Sequence, residues 1–296
     1  MRTEDSAEKS LQASCYLCES KSSGYRKGVV RDREGIAIHQ CSNCGLVFLS
    51  SFSHIGPNFY EESGMHGGEP TPIPVWLKDT DSDDRRRFAM FRAMLANKRV
   101  LDFGCGAAGF LQHAMGVAAE VTGIELENRI HNYWEGQIEI RPNVPSAREG
   151  RAYDVITAFH VIEHLSDPRG VLKSLANLLD KNGRIIVEVP NSDDALLTLY
   201  DCDSFQHFTY WSQHLFLFNA KTLEMVARQA GLRVVAVQHY QRYTLSNHLF
   251  WLSQGKPGGH KRWSFLDTPE MTEAYSHALA AIGKTDTLIA HLERWY

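Results

Sequence analysis

Two cysteine pairs, Cys15 with Cys18 and Cys41 with Cys44, repeat the spacing C-x-x-C. Each pair can grip one ion from a tight turn while nearby backbone N–H groups donate to the thiolates, and Gly45 relaxes the second turn. Four sulfur ligands fill a tetrahedral site and leave no position for water. The metal expected is therefore one structural Zn2+ that holds a segment too short to bury its own core. Free thiols or redox-active pairs are the alternatives, but a thioredoxin-type pair is expected to open a helix after a strand.

The second pattern is "LDFGCGAAGF", where Gly104, Gly106 and Gly109 read G-x-G-x-x-G between a strand and a helix, with Cys105 as the small residue inside the loop. Such glycines let backbone approach a ligand at a helix start, a spacing that nicotinamide enzymes share. Two carboxylates narrow the ligand. Asp102 stands at the strand end, where it can meet a cationic amine, and a bare pyrophosphate would gain nothing from it. Glu125 closes the next strand about twenty residues on, where an acidic side chain can bind both ribose hydroxyls.

The third pattern is "YWSQHLFLF", which sets His214 in an apolar run. Histidine titrates near neutrality and is the natural general base. His214 is read as a base, as an anchor for its loop, or as a contact for the acceptor, with His207 and Tyr210 as rival bases within one loop's reach. Gln206, Trp211 and Gln213 are candidates to bind or stack on a polar ring.

These residues need elements to position them. "DTDSDDRRRFAMFRAMLANK" supplies Asp and Ser for a helix cap, then Phe88, Phe91, Met94 and Leu95 at helical spacing, which predicts an amphipathic helix whose charges form a solvated face. "RVLDFG", "EVTGIEL", "YDVITAFH" and "GRIIVEVP" read as strands, alternating with helices at "AGFLQHAM", "NRIHNYWE" and a stretch capped by Asp167 with Pro168 at its first position. After an irregular segment come a helix between Asn219 and Gly231 and the strand "LRVVAVQHY". In the tail, "SQGKPGGH" reads as a loop, 269–282 as helical and "TDTLIAHL" as a last strand. The alternation predicts an α/β fold with a mostly parallel sheet and helices on both faces. Texture divides the chain into 1–75, a zinc-ribbon module closing in the linker "GGEPTPIP"; 76–241, the core; and 242–296, an extension expected to complete the sheet.

The 296 residues can bury a full-sized core, and the net charge of −4 offers no bulk cationic surface for tight nucleic-acid binding. There is no apolar run of about 18 residues and no N-terminal leader pattern, so a cytoplasmic protein without membrane contact is expected.

In order and type, "VLDFGCGAAG", "GIE", "YDVITAFHVIEHLSDP" and "LLDKNGRIIVEVPN" resemble the motifs of class I S-adenosylmethionine-dependent methyltransferases, over roughly residues 85–240. That resemblance implies a Rossmann-like sheet of seven strands and S-adenosyl-L-methionine as cofactor, leaving as S-adenosyl-L-homocysteine. It implies that Asp102, Gly104 and Gly106 hold the methionine part, with Cys105 and Gly109 in the same cofactor-binding loop, that Glu125 holds the ribose, and that Phe159 and His160 form the cofactor wall. "IEIRPNVPSAREG" offers no clear acidic residue for the adenine amine. With its cysteine module the chain is also similar to nucleotide-sugar methyltransferases of antibiotic and surface-polysaccharide pathways. In those a tyrosine, histidine, glutamate, histidine segment precedes an aromatic run; here the register reads Trp211, Ser212, Gln213, His214, and only the last residue matches. The resemblance thus implies O- or C-methylation of a small polar acceptor such as a nucleotide-linked sugar. The alternatives are an RNA methyltransferase that grips RNA through its zinc ribbon and the arginines near Arg31 and Arg86, and a non-catalytic protein that keeps the cofactor fold.

Overall fold

The computed structural model describes residues 14–56, 59, 61, 70–148 and 152–295. By contact the chain divides into two units, each discontinuous in sequence: Met1–Gly56, Asn191–Thr222 and Gln241–Asp286 in one, Pro57–Pro190, Leu223–Tyr240 and Thr287–Tyr296 in the other. Parts of the expected linker, Gly67 to Glu69, lie outside the described residues. Among the described residues no helix is long and apolar enough to cross a membrane.

The second unit carries a seven-stranded sheet in the order Leu232–Tyr240, Thr287–Arg294, Leu179–Pro190, Tyr153–Phe159, Arg99–Phe103, Glu120–Ile124, Glu139–Arg141. All pairings are parallel except the two made by Thr287–Arg294, which inserts antiparallel between its neighbours. Strands covered on both faces read as apolar runs, as Arg184–Val189 and Tyr153–Phe159 do. The core beside this sheet is built from Phe91, Leu95, Val100, Phe110, Leu111, Ile130, Trp134, Val155 and Ile186. The expected start and stop signals operate: the Asp167 side chain accepts from Gly170 N–H, Asn219 Oδ1 accepts from Thr222 N–H, and Gly231 takes a left-handed φ of 79°.

Two expectations for the first long helix are corrected. It runs Ile73–Leu95, beginning well before the Asp and Ser residues read as its cap, with Pro74 in its first turn. Nor are its charges all solvated. Asp84 and Arg87 are buried, and Arg86 and Arg87 both donate to Glu188, a carboxylate with no exposure in strand Leu179–Pro190: Arg86 Nη2 to Oε1 at 2.8 Å and Oε2 at 3.0 Å, Arg87 Nη2 to Oε1 at 2.8 Å. The Arg87 guanidinium also lies 4.8 Å from the centroid of the Phe159 ring.

The first unit carries a four-stranded antiparallel sheet, Ser23–Tyr25, Ile38–Cys41, Val47–Leu49 and Phe216–Leu217 in spatial order. Residues read from sequence as irregular thus contribute a strand, and helices Ala195–Thr198 and Asp203–Thr209 precede it. The tail reading also changes: helix Leu245–Gln254 absorbs the start of "SQGKPGGH" and ends at Gly255, and a short helix, Gly259–Arg262, follows.

Removing one partner of a buried ion pair strands the others without compensation, a loss of about 3–5 kcal/mol. Glu188→Ala is expected to lower stability by that amount in urea unfolding, whereas Arg85→Ala, whose exposed pairing is with Asp81, changes it by less than about 1 kcal/mol.

Candidate functional site

The four cysteines converge. Cys15 Sγ lies 3.5 Å from Cys44 Sγ, Cys18 Sγ 3.5 Å from Cys41 Sγ, and all four sulfurs fall within 4.8 Å of one another. Zinc–sulfur bonds of about 2.3 Å place tetrahedral sulfurs about 3.8 Å apart, whereas a disulfide needs about 2.05 Å. The backbone at Leu17 and Cys18 hydrogen-bonds to Cys15 sulfur, that at Ser20 to Cys18 and that at Leu46 to Cys44. Burial pushes the Cys15 and Cys44 thiols up, so thiolates at those positions need a cation beside them. The residues fit a structural zinc.

Segment Tyr210–Phe216 is fastened to the same unit's first strands. Arg31 N–H donates to Tyr210 O at 2.9 Å, the Asp32 carboxylate accepts from Ser212 N–H at 2.9 Å and from its Oγ at 2.7 Å, and Leu49 N–H donates to Leu215 O at 3.1 Å. Tyr210 is buried, and its hydroxyl accepts from Arg26 Nε at 2.8 Å; burial raises its phenol. His214 is half-buried and its Nδ1 lies 3.0 Å from Thr209 O, a carbonyl that can only accept, so Nδ1 carries a proton. His207 is exposed on helix Asp203–Thr209. Gln206 is buried and donates to Asp201 Oδ1 at 2.7 Å, and the Arg31 guanidinium lies 4.9 Å from the Trp211 ring.

In the other unit strand Arg99–Phe103 delivers the chain into the glycine loop. Gly104 has φ +68°, and a Cβ there would sit 2.6 Å from Val161 Cγ2; at Gly109 a Cβ would lie 2.3 Å from Asp84 Oδ2, so the third glycine answers to helix packing. Asp102 Oδ1 accepts from Thr157 Oγ1 at 2.6 Å, and burial pushes this carboxyl up to about 7. Glu125 bridges the loop to the next turn, its Oε2 accepting from Gly106 N–H at 2.9 Å and its Oε1 from Leu126 N–H at 2.7 Å. Burial raises it as well, against those backbone donors. Cys105 packs toward Gly123, and burial pushes its thiol well up.

Phe159 packs edge-on to Phe110, centroids 5.0 Å apart, and parallel to Phe91 at 6.1 Å. His160 adopts φ +53°, and its Nδ1 and Nε2 each lie 3.2 Å from a carboxylate, Glu163 Oε1 and Glu188 Oε1. Burial alone would raise Glu188, yet the His160 hydrogen bond and the Arg87 charge hold it well below the usual range. Thr157, Asp84 and Arg87 were not picked out from sequence as site residues. Thr157 carried a signal, a hydroxyl inside the apolar strand "YDVITAFH", paired in register with Asp102.

Residues 81–237 match the family described as "Methyltransferase domain". Over 164 residues, half of this chain and 70% of the relative, the chain is 32% identical to a "Ubiquinone biosynthesis O-methyltransferase" of Thiobacillus denitrificans. It is 28% identical to the protein of that name from Aeromonas salmonicida over 51% of this chain and 64% of the relative, and it spans 47% of one from Burkholderia vietnamiensis. In fold it is similar to a Burkholderia thailandensis 1,6-didemethyltoxoflavin-N1-methyltransferase, TM-score 0.51 at 15% identity, covering 91% of this chain and all of that one. The putative methyltransferase solved with Haloferax volcanii Trm112 gives 0.50 at 12% identity over 77% and 100%.

Metal analysis of the purified protein is expected to find one zinc per chain, absent from Cys41→Ser. Because strand Val47–Leu49 pairs with Phe216–Leu217, that variant should also unfold at lower temperature, and an unchanged melting curve would refute a structural metal.

Proposed function

The chain belongs to the methyltransferase-domain family, and from that footing we propose that it transfers a methyl group from S-adenosyl-L-methionine to a hydroxyl of a small polar acceptor. The observation that carries the reading is the pair of carboxylates, buried Asp102 and half-buried Glu125, set beside a glycine loop whose Gly106 N–H donates to Glu125.

The cofactor supplies an electrophilic methyl carbon on a sulfonium. The chain's own work is to bind, orient and exclude water. Asp102 would meet the cationic amine, the backbone of Gly104, Cys105 and Gly106 would take the methionine part, and Gly109 keeps the following helix close. Glu125, with both oxygens already tied to backbone donors, retains lone pairs for ribose hydroxyls. Phe159 and His160 would line the cofactor, His160 held by Glu163 and Glu188.

For the acceptor proton we favour His214. Its Nδ1 donates to Thr209 O, which holds the ring in its loop, and a neutral imidazole in that orientation is basic at Nε2. Tyr210, buried with a raised phenol, and exposed His207 are weaker candidates. The name carried by the curated relatives supports O- over C-methylation. A nucleotide-linked sugar is one member of this acceptor class, suggested by the cysteine module. The net charge of −4 weighs against RNA.

The test offers methyl-labelled S-adenosyl-L-methionine with 3,4-dihydroxybenzoate, UDP-glucose and a short RNA. Label should pass to a small hydroxylated acceptor and not to RNA; no cofactor binding at all would sink the proposal. Gly104→Arg, which drives a side chain into Val161, should abolish S-adenosyl-L-homocysteine binding.

The Asp102 carboxyl sits near 7 instead of its ordinary 3.8, so the ionised form that attracts the amine is gained as pH rises through about 7. Calorimetry should show affinity rising between about pH 6 and 8, with Asp102→Asn flattening that rise and weakening binding about tenfold. Apo-protein stability runs the other way. The folded state holds this proton more tightly than the unfolded chain, so the Asp102 contribution declines as pH climbs from about 4 to about 7.

A further inference from the structure

Helices Leu245–Gln254 and Pro269–Ala281 bring two polar rings together, His248 and Tyr275, with Nδ1 and the phenol oxygen 2.8 Å apart. His248 is 1% exposed, and its other nitrogen, Nε2, lies 3.1 Å from Nε2 of Gln241. Asp286 fixes which way the Gln241 amide faces: the amide oxygen accepts from Asp286 N–H at 3.1 Å, and the amide nitrogen donates to the Asp286 carboxylate at 2.8 Å. The same nitrogen donates to Tyr243 O at 2.8 Å, so one of its two hydrogens is shared. An NH2 group therefore faces His248 Nε2.

An amide nitrogen is a donor only, so His248 Nε2 must present its lone pair and the ring proton must sit on Nδ1. That N–H donates to Tyr275. The Tyr275 oxygen thus accepts from behind, and its own proton can point onward to the Tyr200 hydroxyl 3.3 Å away, a contact in which either oxygen can donate. Tyr200 is 38% exposed, and in that order its own proton can reach a group outside the chain. Every hydroxyl in the series accepts from behind and donates ahead, an order in which each bond strengthens the next. Burial, which pushes His248 down to about 4, keeps the imidazole neutral and the direction constant at ordinary pH. Apolar side chains would join two helices at lower cost than a buried imidazole, amide and carboxylate.

We propose that this array is a ligand subsite in which Tyr200, backed by Tyr275, His248 and Gln241, donates a hydrogen bond to a carboxylate or carbonyl oxygen of a small oxygenated molecule. The ligand class rests on the acceptor class proposed above; the polarity of the array does not. Tyr200→Phe removes only the terminal donor. Tyr275→Phe breaks the relay behind it. Gln241→Glu places an acceptor against His248 Nε2, which draws the ring proton there and reverses the series.

The probe is 3,4-dihydroxybenzoate, titrated into the full chain by calorimetry, with S-adenosyl-L-homocysteine titrated in parallel. Tyr200→Phe and Gln241→Glu are each expected to weaken the probe about tenfold, the loss of one hydrogen bond to a charged group, with cofactor affinity unchanged. Nitrogen-15 spectra should show His248 protonated on Nδ1 in the parent chain and on Nε2 in Gln241→Glu. Equal probe affinity in Tyr200→Phe, no probe binding at millimolar concentration, or an Nε2 proton in the parent chain would each overturn the subsite. Tyr200→Phe changes a surface position and stays decisive even where a buried variant fails to fold. Cofactor binding with no dependence of the probe on Tyr200 removes the subsite alone, whereas absent cofactor binding removes the methyltransferase reading.

Discussion

Three strands of three or four residues cannot bury a core, and that shortage governs the cysteine-bearing unit. Its remedy is twofold. Four sulfurs draw two turns to one point, and strand Val47–Leu49 takes a partner from far along the chain, Val47 opposite Leu217 and Phe48 opposite Phe216. The Tyr16 and Phe52 rings then close on Phe216 at 5.1 and 5.2 Å. The geometry of Tyr210 and His214 follows from that pairing, because the residues between them and the strand are held from both sides by Asp32, His54 and Arg31.

The other unit is organised by buried charge. Glu188 has no contact with solvent and survives as a carboxylate because two guanidinium groups and an imidazole surround it. Burial raises the Asp102 carboxyl, and among the described residues its hydrogen-bond donor is the neutral Thr157 hydroxyl, whereas the His160 and arginine partners lower that of Glu188. Two acidic side chains in one sheet thus hold opposite tendencies, set by what faces them. Glu188 ties a helix to the sheet, and Asp102, bonded to a neutral hydroxyl, is the carboxyl assigned to the cofactor amine in the proposed function.

Much of this unit was legible in the sequence. Strands such as Arg99–Phe103 and Tyr153–Phe159 are dense apolar runs, and helix ends at Asp167 and Gly231 carry residues whose capping chemistry is local. The cysteine cluster was legible because metal ligation imposes a spacing. What escaped depends on partners distant in sequence. Arg86 and Arg87 look like any exposed helical charge until Glu188 is beside them. A two-residue strand such as Phe216–Leu217 has no periodicity to detect. The true start of helix Ile73–Leu95 was hidden because Asp79 to Asp84 resemble a cap, and packing across the helix outweighs that local preference.

The place of strand Thr287–Arg294 bears on how the protein comes into being. It lies between Leu179–Pro190 and Leu232–Tyr240, both made earlier, and no other strand of the sheet joins those two. During synthesis Leu232–Tyr240 therefore has no place in the sheet until residue 294 has left the ribosome. For that interval its edge and that of Leu179–Pro190 stand open, the first with three valines and the second with two valines and two isoleucines, and exposed apolar edges of that kind favour pairing with other chains. A nascent chain stalled before residue 287 should for this reason be a client for chaperones, and the yield of folded protein should depend on the speed with which its last strand arrives.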